Sequence, residues 1–188
     1  MSNQLESEKL ACAFMLRRFK NEGNAKMVRT LEEGPVTDAV PLPDSYLSVR
    51  DSAMHSLGIG TTHDMRSVVT GLLLRSLENR EYTLPQKINM WRGKIFSGSR
   101  LWNTQLSTDL TTKVTRLEIP VYFFHGVYDY TVSYALAKAY FEQLDAPWKG
   151  FYTFTQSAHS PLFEEPKRMR EIMQTDVLAG TKGLADPE

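Results

Sequence analysis

The sequence predicts an α/β fold in which a helical region comes first and an incomplete parallel sheet comes last. Three observations carry that expectation. Up to about residue 112, apolar side chains recur at helical intervals between Gly, Pro and Asn punctuation. Pro120-Val-Tyr-Phe-Phe-His125 is a short apolar run without alternation, the pattern of a strand buried on both faces of a parallel sheet. A second strand, Phe151-Tyr-Thr-Phe154, follows one helix later. The chain thus divides into a helical region over 1–112 and a strand, helix, strand, helix region over 113–188.

The helices are expected in order. Asn3 and Glu6 have capping-box spacing, Leu10, Ala11, Phe14 and Met15 form an apolar stripe, and Gly23 stops the first helix. Asn24 can cap the second, which Gly34 and Pro35 end. Pro43 and Asp44 open a third through Tyr46, Val49, Ala53 and Leu57, closed by Gly58 and Gly60. Thr62 or His63 starts a fourth through Val68 and Leu72, and Thr83 with Pro85 starts a fifth carrying Ile88, Trp91 and Ile95. No period recurs among them, so a solenoid is unsupported. After the first strand, Ser133 to Leu144 reads as a helix; after the second, Pro161 and Pro166 lead into a last helix through Met169, Ile172 and Val177, with Gly180 past its end. Two strands alone rarely make a stable sheet, so further strands are expected from elsewhere.

Composition narrows the function. Twenty-two Lys and Arg balance 22 Asp and Glu, leaving no surplus charge to draw the chain to nucleic acid or an anionic membrane. The longest apolar runs fall far short of the ~20 residues of a membrane helix, and the polar opening lacks a secretion-signal pattern. One cysteine, Cys12, excludes an internal disulfide, and a cytoplasmic location is expected.

The chemistry concentrates at the two strand ends. Asp129 falls just past the first, in His125-Gly126-Val127-Tyr128-Asp129, and His159 just past the second, in Ser157-Ala158-His159-Ser160-Pro161. Loops at the carboxyl ends of parallel strands collect catalytic groups, and the intervening helix would bring these two side by side. A carboxylate that accepts the Nδ1 proton of an imidazole fixes its tautomer and frees Nε2 to take a proton from a nucleophile. Taken alone, Asp129 reads as a turn or helix-capping residue before it reads as a catalytic one.

From Pro120 to Pro166, with His125-Gly126-x-x-Asp129 and Ser157-Ala-His159-Ser160-Pro161, the chain resembles the end of the α/β-hydrolase fold. Asn3-Gln-x-Glu-Ser7-Glu8 and the helices up to Leu117 resemble the cap of a proline iminopeptidase-like branch. The resemblance implies a helical cap followed by the last βαβα of a hydrolase sheet, with Asp129 as triad acid and His159 as triad base. No cofactor and no metal are expected. The resemblance also implies a nucleophile on a G-x-S-x-G elbow, which this sequence lacks, so that the chain starts after the elbow and Met1 is an internal start. The nearest string, Phe96-Ser97-Gly98-Ser99-Arg100, reads as a helix-ending turn.

Other candidates have plainer readings. His125 is expected to be structural; His55 and His63, with Asp44, Asp51 and Asp64, have no metal-ligand spacing. Cys12 reads as a small buried filler. Trp91, Phe96 and Trp102 read as core, with a pocket lining as the alternative, and Glu6, Glu78 and Glu81 read as solvated acids unless one holds a substrate amine. The leading functional expectation is a segment of a triad-type hydrolase cleaving an amide, ester or related bond in a small molecule or short peptide, inactive as this chain alone. The rival is a catalytically dead binding or regulatory module that self-associates, and a third, weaker option is that a separate upstream polypeptide, the missing N-terminal half, completes the sheet in trans.

Overall fold

The structure is a computed structural model that describes residues 3–187; Met1, with the expectation of an internal start, lies outside the described residues together with Ser2 and Glu188. The chain opens with α1 (Gln4–Asn21), whose free first-turn amide at Glu6 is capped by the Asn3 side chain at 3.0 Å. Gly23, at φ 70°, reverses the chain, and Asn24 caps α2 (Ala25–Glu33) through the Met27 amide at 3.2 Å. With α3 (Asp44–Ser56) these helices bury Met15, Phe19, Leu31, Tyr46 and Met54 in a first core.

Two helical expectations are corrected. The segment after α3 stays irregular through Ser67, and the helix that Thr62 or His63 was expected to start begins with one wide turn at Val69–Leu73, continuing as α4 (Leu74–Glu78). Here side chains take the groups a helix would use: His63 Nδ1 bonds Gly58 O at 2.8 Å and Thr62 Oγ1 accepts from Met65 N at 3.2 Å. The Phe96–Arg100 string does not end a helix but lies inside α5 (Leu84–Leu106). Ser99 turns its hydroxyl back onto Phe96 O at 2.8 Å, and the helix continues past it. The start of α5 is as the sequence indicates, with Thr83 N donating to Gln86 Oε1 at 2.8 Å.

A short α6 (Leu110–Lys113) leads to β1 (Val121–Gly126), which α7 (Tyr134–Gln143) connects to β2 (Lys149–Phe154). The strands pair in parallel from Val121 opposite Lys149 to Gly126 opposite Phe154. Cross-strand rings stack along the pair, Phe123 on Phe151 at 6.0 Å and Phe124 against Tyr152 at 5.4 Å. α8 (Pro161–Glu164) and α9 (Pro166–Ile172) follow, and Met169 and Ile172 close a second core over Tyr152 and Phe154. The far edge of β2 is covered by the chain's end, where Asp186 N donates to Phe151 O at 2.8 Å. Buried Asp176 holds that end by accepting from Tyr152 Oη, Thr181 Oγ1 and the amides of Gly183 and Leu184, all within 2.9 Å.

The architecture is therefore α/β in the loose sense of many helices and one parallel strand pair. The resemblance to the α/β-hydrolase superfamily and its proline iminopeptidase-like branch is corrected: among the described residues the sheet is two strands in the order β1-β2, not part of that fold. The signals behind the resemblance, His-Gly-x-x-Asp and Ser-Ala-His-Ser-Pro, are loop chemistry at strand ends, which any parallel pair can carry and which does not count strands. No helix among the described residues is long and apolar enough to cross a membrane.

Candidate functional site

Past the ends of β1 and β2 the two loops are laced together by backbone. Val127 N donates to Phe154 O at 3.0 Å and Tyr128 N to Ser157 O at 3.1 Å. Gly126 permits this approach, because a Cβ there would lie 2.2 Å from Ser157 O and 2.1 Å from Ala158 O. The lacing sets Asp129 against His159, whose Nδ1 lies 2.8 Å from Asp129 Oδ2. Asp129 is 3 % exposed and His159 41 %. The turn role expected of Asp129 is also present: its Oδ1 accepts from Val132 N at 2.9 Å, which fixes the carboxylate plane.

A neutral His159 in this arrangement donates Nδ1–H to the carboxylate and leaves Nε2 without a protein partner among the described residues. The Asp129 hydrogen bond, aided by its charge, holds the His159 pKa above the ordinary imidazole value, against burial and the nearby Arg50 cation. His125 sits on the other side of the same carboxylate. Its Nε2 donates to Val132 O at 2.8 Å and lies 3.3 Å from Asp129 Oδ2. Burial holds the His125 pKa below the ordinary value despite Asp129, so near neutrality this ring stays uncharged. One carboxylate thus faces two imidazoles with opposite tendencies.

The first core braces the site from below. Gln4 Nε2 donates to Thr131 O at 3.0 Å, Ser7 Oγ accepts from Ser133 N at 3.1 Å, and Tyr130 packs on Phe14 with ring centroids 4.4 Å apart. Beneath lies Glu8, fully buried, which accepts from Gln4 Nε2 at 2.7 Å, Tyr46 Oη at 2.8 Å and both Arg50 Nε and Nη2 at 2.6 Å. Sequence reasoning missed Glu8 and Arg50 as site supports. The available signal was a charge on a buried stripe, since Glu8 falls in helical register with Gln4, Ala11, Cys12 and Met15.

The remaining candidates are dispersed. His55 donates Nδ1–H to Asp51 O at 2.6 Å and accepts from Thr61 N at 3.2 Å, a structural role. His63 stacks on Tyr128 with centroids 3.9 Å apart. Among the described residues no cluster of three His, Cys, Asp or Glu could hold a metal ion. Cys12 is buried, and burial pushes its thiol pKa up, away from nucleophilic thiolate. Trp91 donates to Ser76 Oγ at 2.9 Å and borders a cavity with Leu72 and Met90, Trp102 packs toward Arg50, and Phe96, expected in the core, is instead exposed on α5. Glu6 pairs with Lys9 at 2.7 Å, while Glu78 and Glu81 are exposed. A cavity of about 350 Å³ bordered by Ser76, Tyr82, Gln86 and Met90 includes neither Asp129 nor His159.

Comparison with known proteins gives one informative likeness. Over 107 residues, 57% of the chain, the sequence is 31% identical to the probable aminopeptidase YbaC of Bacillus subtilis (strain 168). The match covers 33% of that protein, so the chain spans about a third of the length of the curated relative it matches. No family model matches, and no solved structure matches significantly. What the comparison gives in place of the expected superfamily assignment is thus a partial likeness to one aminopeptidase-named protein.

Proposed function

We propose that the chain is part of a peptidase-like hydrolase and that Asp129 and His159 are its proton-handling pair. The single observation that carries this reading is the 2.8 Å contact between His159 Nδ1 and Asp129 Oδ2, with Nε2 facing outward unpartnered among the described residues. In it His159 takes a proton from an attacking group and returns it to the leaving group, while Asp129 orients the ring and steadies its charged form. The aminopeptidase name of the relative supports an amide bond next to a free amino group as the target, in a short peptide or small molecule.

The sequence holds no G-x-S-x-G string, and no hydroxyl or thiol among the described residues bonds to His159 Nε2. The attacking group in this proposal therefore comes from outside these residues. Without it and its oxyanion donors the pair alone supplies little acceleration. The test measures hydrolysis of amino-acid p-nitroanilides by the purified chain, then by the chain mixed with the two thirds of the YbaC polypeptide outside the match. Activity only in the mixture, abolished by His159→Ala and Asp129→Asn, is the expected result. A His159-dependent rate well above buffer in the chain alone would overturn the assignment of the nucleophile elsewhere; no rate in either sample, with both parts folded and associated, would overturn the hydrolase reading.

A second reading, a binding or regulatory module that associates with itself or with another chain, is favoured by α5. Its Leu84, Ile95, Phe96 and Leu101 are each at least 60 % exposed. Sedimentation separates the readings, since a concentration-dependent dimer abolished by Ile95→Lys and Phe96→Lys would favour the module.

A further inference from the structure

We propose that Glu164 is a positioning residue that holds His159 against Asp129; the proposal rests on the reading of that pair as the proton-handling site. Glu164 ends α8, five residues beyond His159. Its Oε2 accepts from Ala158 N at 2.9 Å and Ser160 N at 3.3 Å, the two amides that flank His159. The amide of His159 itself donates to Gly60 O at 3.3 Å. Three consecutive N–H groups are therefore bound, two of them by one carboxylate, and the backbone under the imidazole has little freedom to rotate.

The other oxygen reaches the opposite wall. Glu164 Oε1 accepts from His63 N at 2.5 Å, in the segment that also supplies Gly60 O. The His63 ring stacks on Tyr128, the residue before Asp129. One carboxylate thus ties the histidine loop to the segment that backs the aspartate loop, and both members of the pair are referenced to it. Charged acceptors make the stronger hydrogen bonds. A proton relay needs its hydrogen bond held within a few tenths of an ångström, which a loop resting on Pro161 alone does not provide.

Glu165 is the internal control. It anchors the same loop further from the imidazole, its Oε1 accepting from Gln156 N at 3.0 Å and Ser157 Oγ at 2.7 Å. The experiment is ¹⁵N and ¹H NMR of the His159 ring in the full chain. Glu164→Gln should lower its proton affinity by at least about threefold and speed exchange of the Nδ1 proton at least about tenfold. Glu165→Gln should lower Tm comparably while leaving both readouts as in the wild type.

A folded Glu164→Gln variant with a wild-type His159 titration overturns the proposal, as does an equal shift in Glu165→Gln. If Glu164→Gln does not fold, Glu164→Asp keeps the charge and withdraws the oxygens by one methylene; the same downward shift is expected, and an unchanged midpoint overturns the proposal. The underlying functional reading fails differently, through an Asp129→Asn variant that leaves His159 unmoved.

Discussion

The buried cluster around Glu8 offers the most quantitative test of how the helical region and the site are joined. In Glu8→Ala, four donated hydrogen bonds within 2.8 Å are lost at once: two from Arg50, one from Tyr46 and one from Gln4. Arg50, 12 % exposed, keeps its ion pair with Asp51 and its place over the Trp102 ring but loses its buried partner, and burial already works against its charge, a penalty that Glu8 offsets in the folded chain. Breaking a buried ion pair from one side costs about 3–5 kcal/mol, and stranding the Tyr46 hydroxyl belongs within that range, so ~4 kcal/mol is the working figure. For a chain of this length that is roughly an 8–16 °C fall in Tm. Urea unfolding followed by circular dichroism and tryptophan fluorescence measures it by linear extrapolation. The double variant Glu8→Leu/Arg50→Met removes both charges and should cost no more than about 1–2 kcal/mol. A loss below about 1 kcal/mol in Glu8→Ala, or a double variant as damaged as the sum of its singles, would refute the claim that the pair is energetically coupled.

Three further outcomes follow from the site. Asp129→Asn removes the hydrogen bond and charge that hold the His159 pKa up, so its NMR titration midpoint should fall to the ordinary value near 6.5 or below; a midpoint that stays raised would point to another cause. Stability against pH should be bowed about pH 6.5. The contribution of His159 is present below that value and lost as pH rises through its raised folded pKa, whereas that of neutral His125 is present above it and lost as pH falls through its lowered one. His159→Gln should flatten the alkaline limb in denaturant titrations across pH, and His125→Gln the limb between pH 6.5 and the carboxylate range. Gly126→Ala should cost at least about 2–3 kcal/mol, since its methyl would meet the backbone oxygens of Ser157 and Ala158 and neither can retreat; a Tm within 2 °C of wild type would contradict the packing described.

Local chemistry was legible in the sequence and distant chemistry was not. The Asn3 and Asn24 caps, the start of α5 at Thr83 and Pro85 and the β1 and β2 strands each rest on a few neighbouring residues, and each forms. Asp129 and His159 could be paired because a strand and a helix between them fix their spacing. The helix boundary at Val69 was missed because His63 and Thr62 bond locally to the chain, a competition that hydrophobic periodicity does not register. The family resemblance outran the structure for a related reason: two loop motifs report how strand ends are furnished, while the extent of a sheet depends on residues far away in sequence. Arg50 was invisible because it acts on Glu8 across 42 positions, and the bond of Glu164 to His63 because it spans 101.

Those separations say how the site is built. The Asp129 loop is fastened to α1 by bonds spanning 127 and 126 positions, at Gln4 with Thr131 and Ser7 with Ser133, while the His159 loop is fastened to the 58–63 segment by Gly60 and Glu164. The hydrogen bond between Asp129 and His159 is the place where these two anchorages meet. The pair by itself has a sequence separation of 30, yet its geometry is set by contacts three to four times longer. Such contacts carry the largest loop-closure cost and are made late or lost early. The imidazole should therefore report on α1 and α3 before any of the secondary structure does. His159 is as much a product of the helical region as of the strands that carry it.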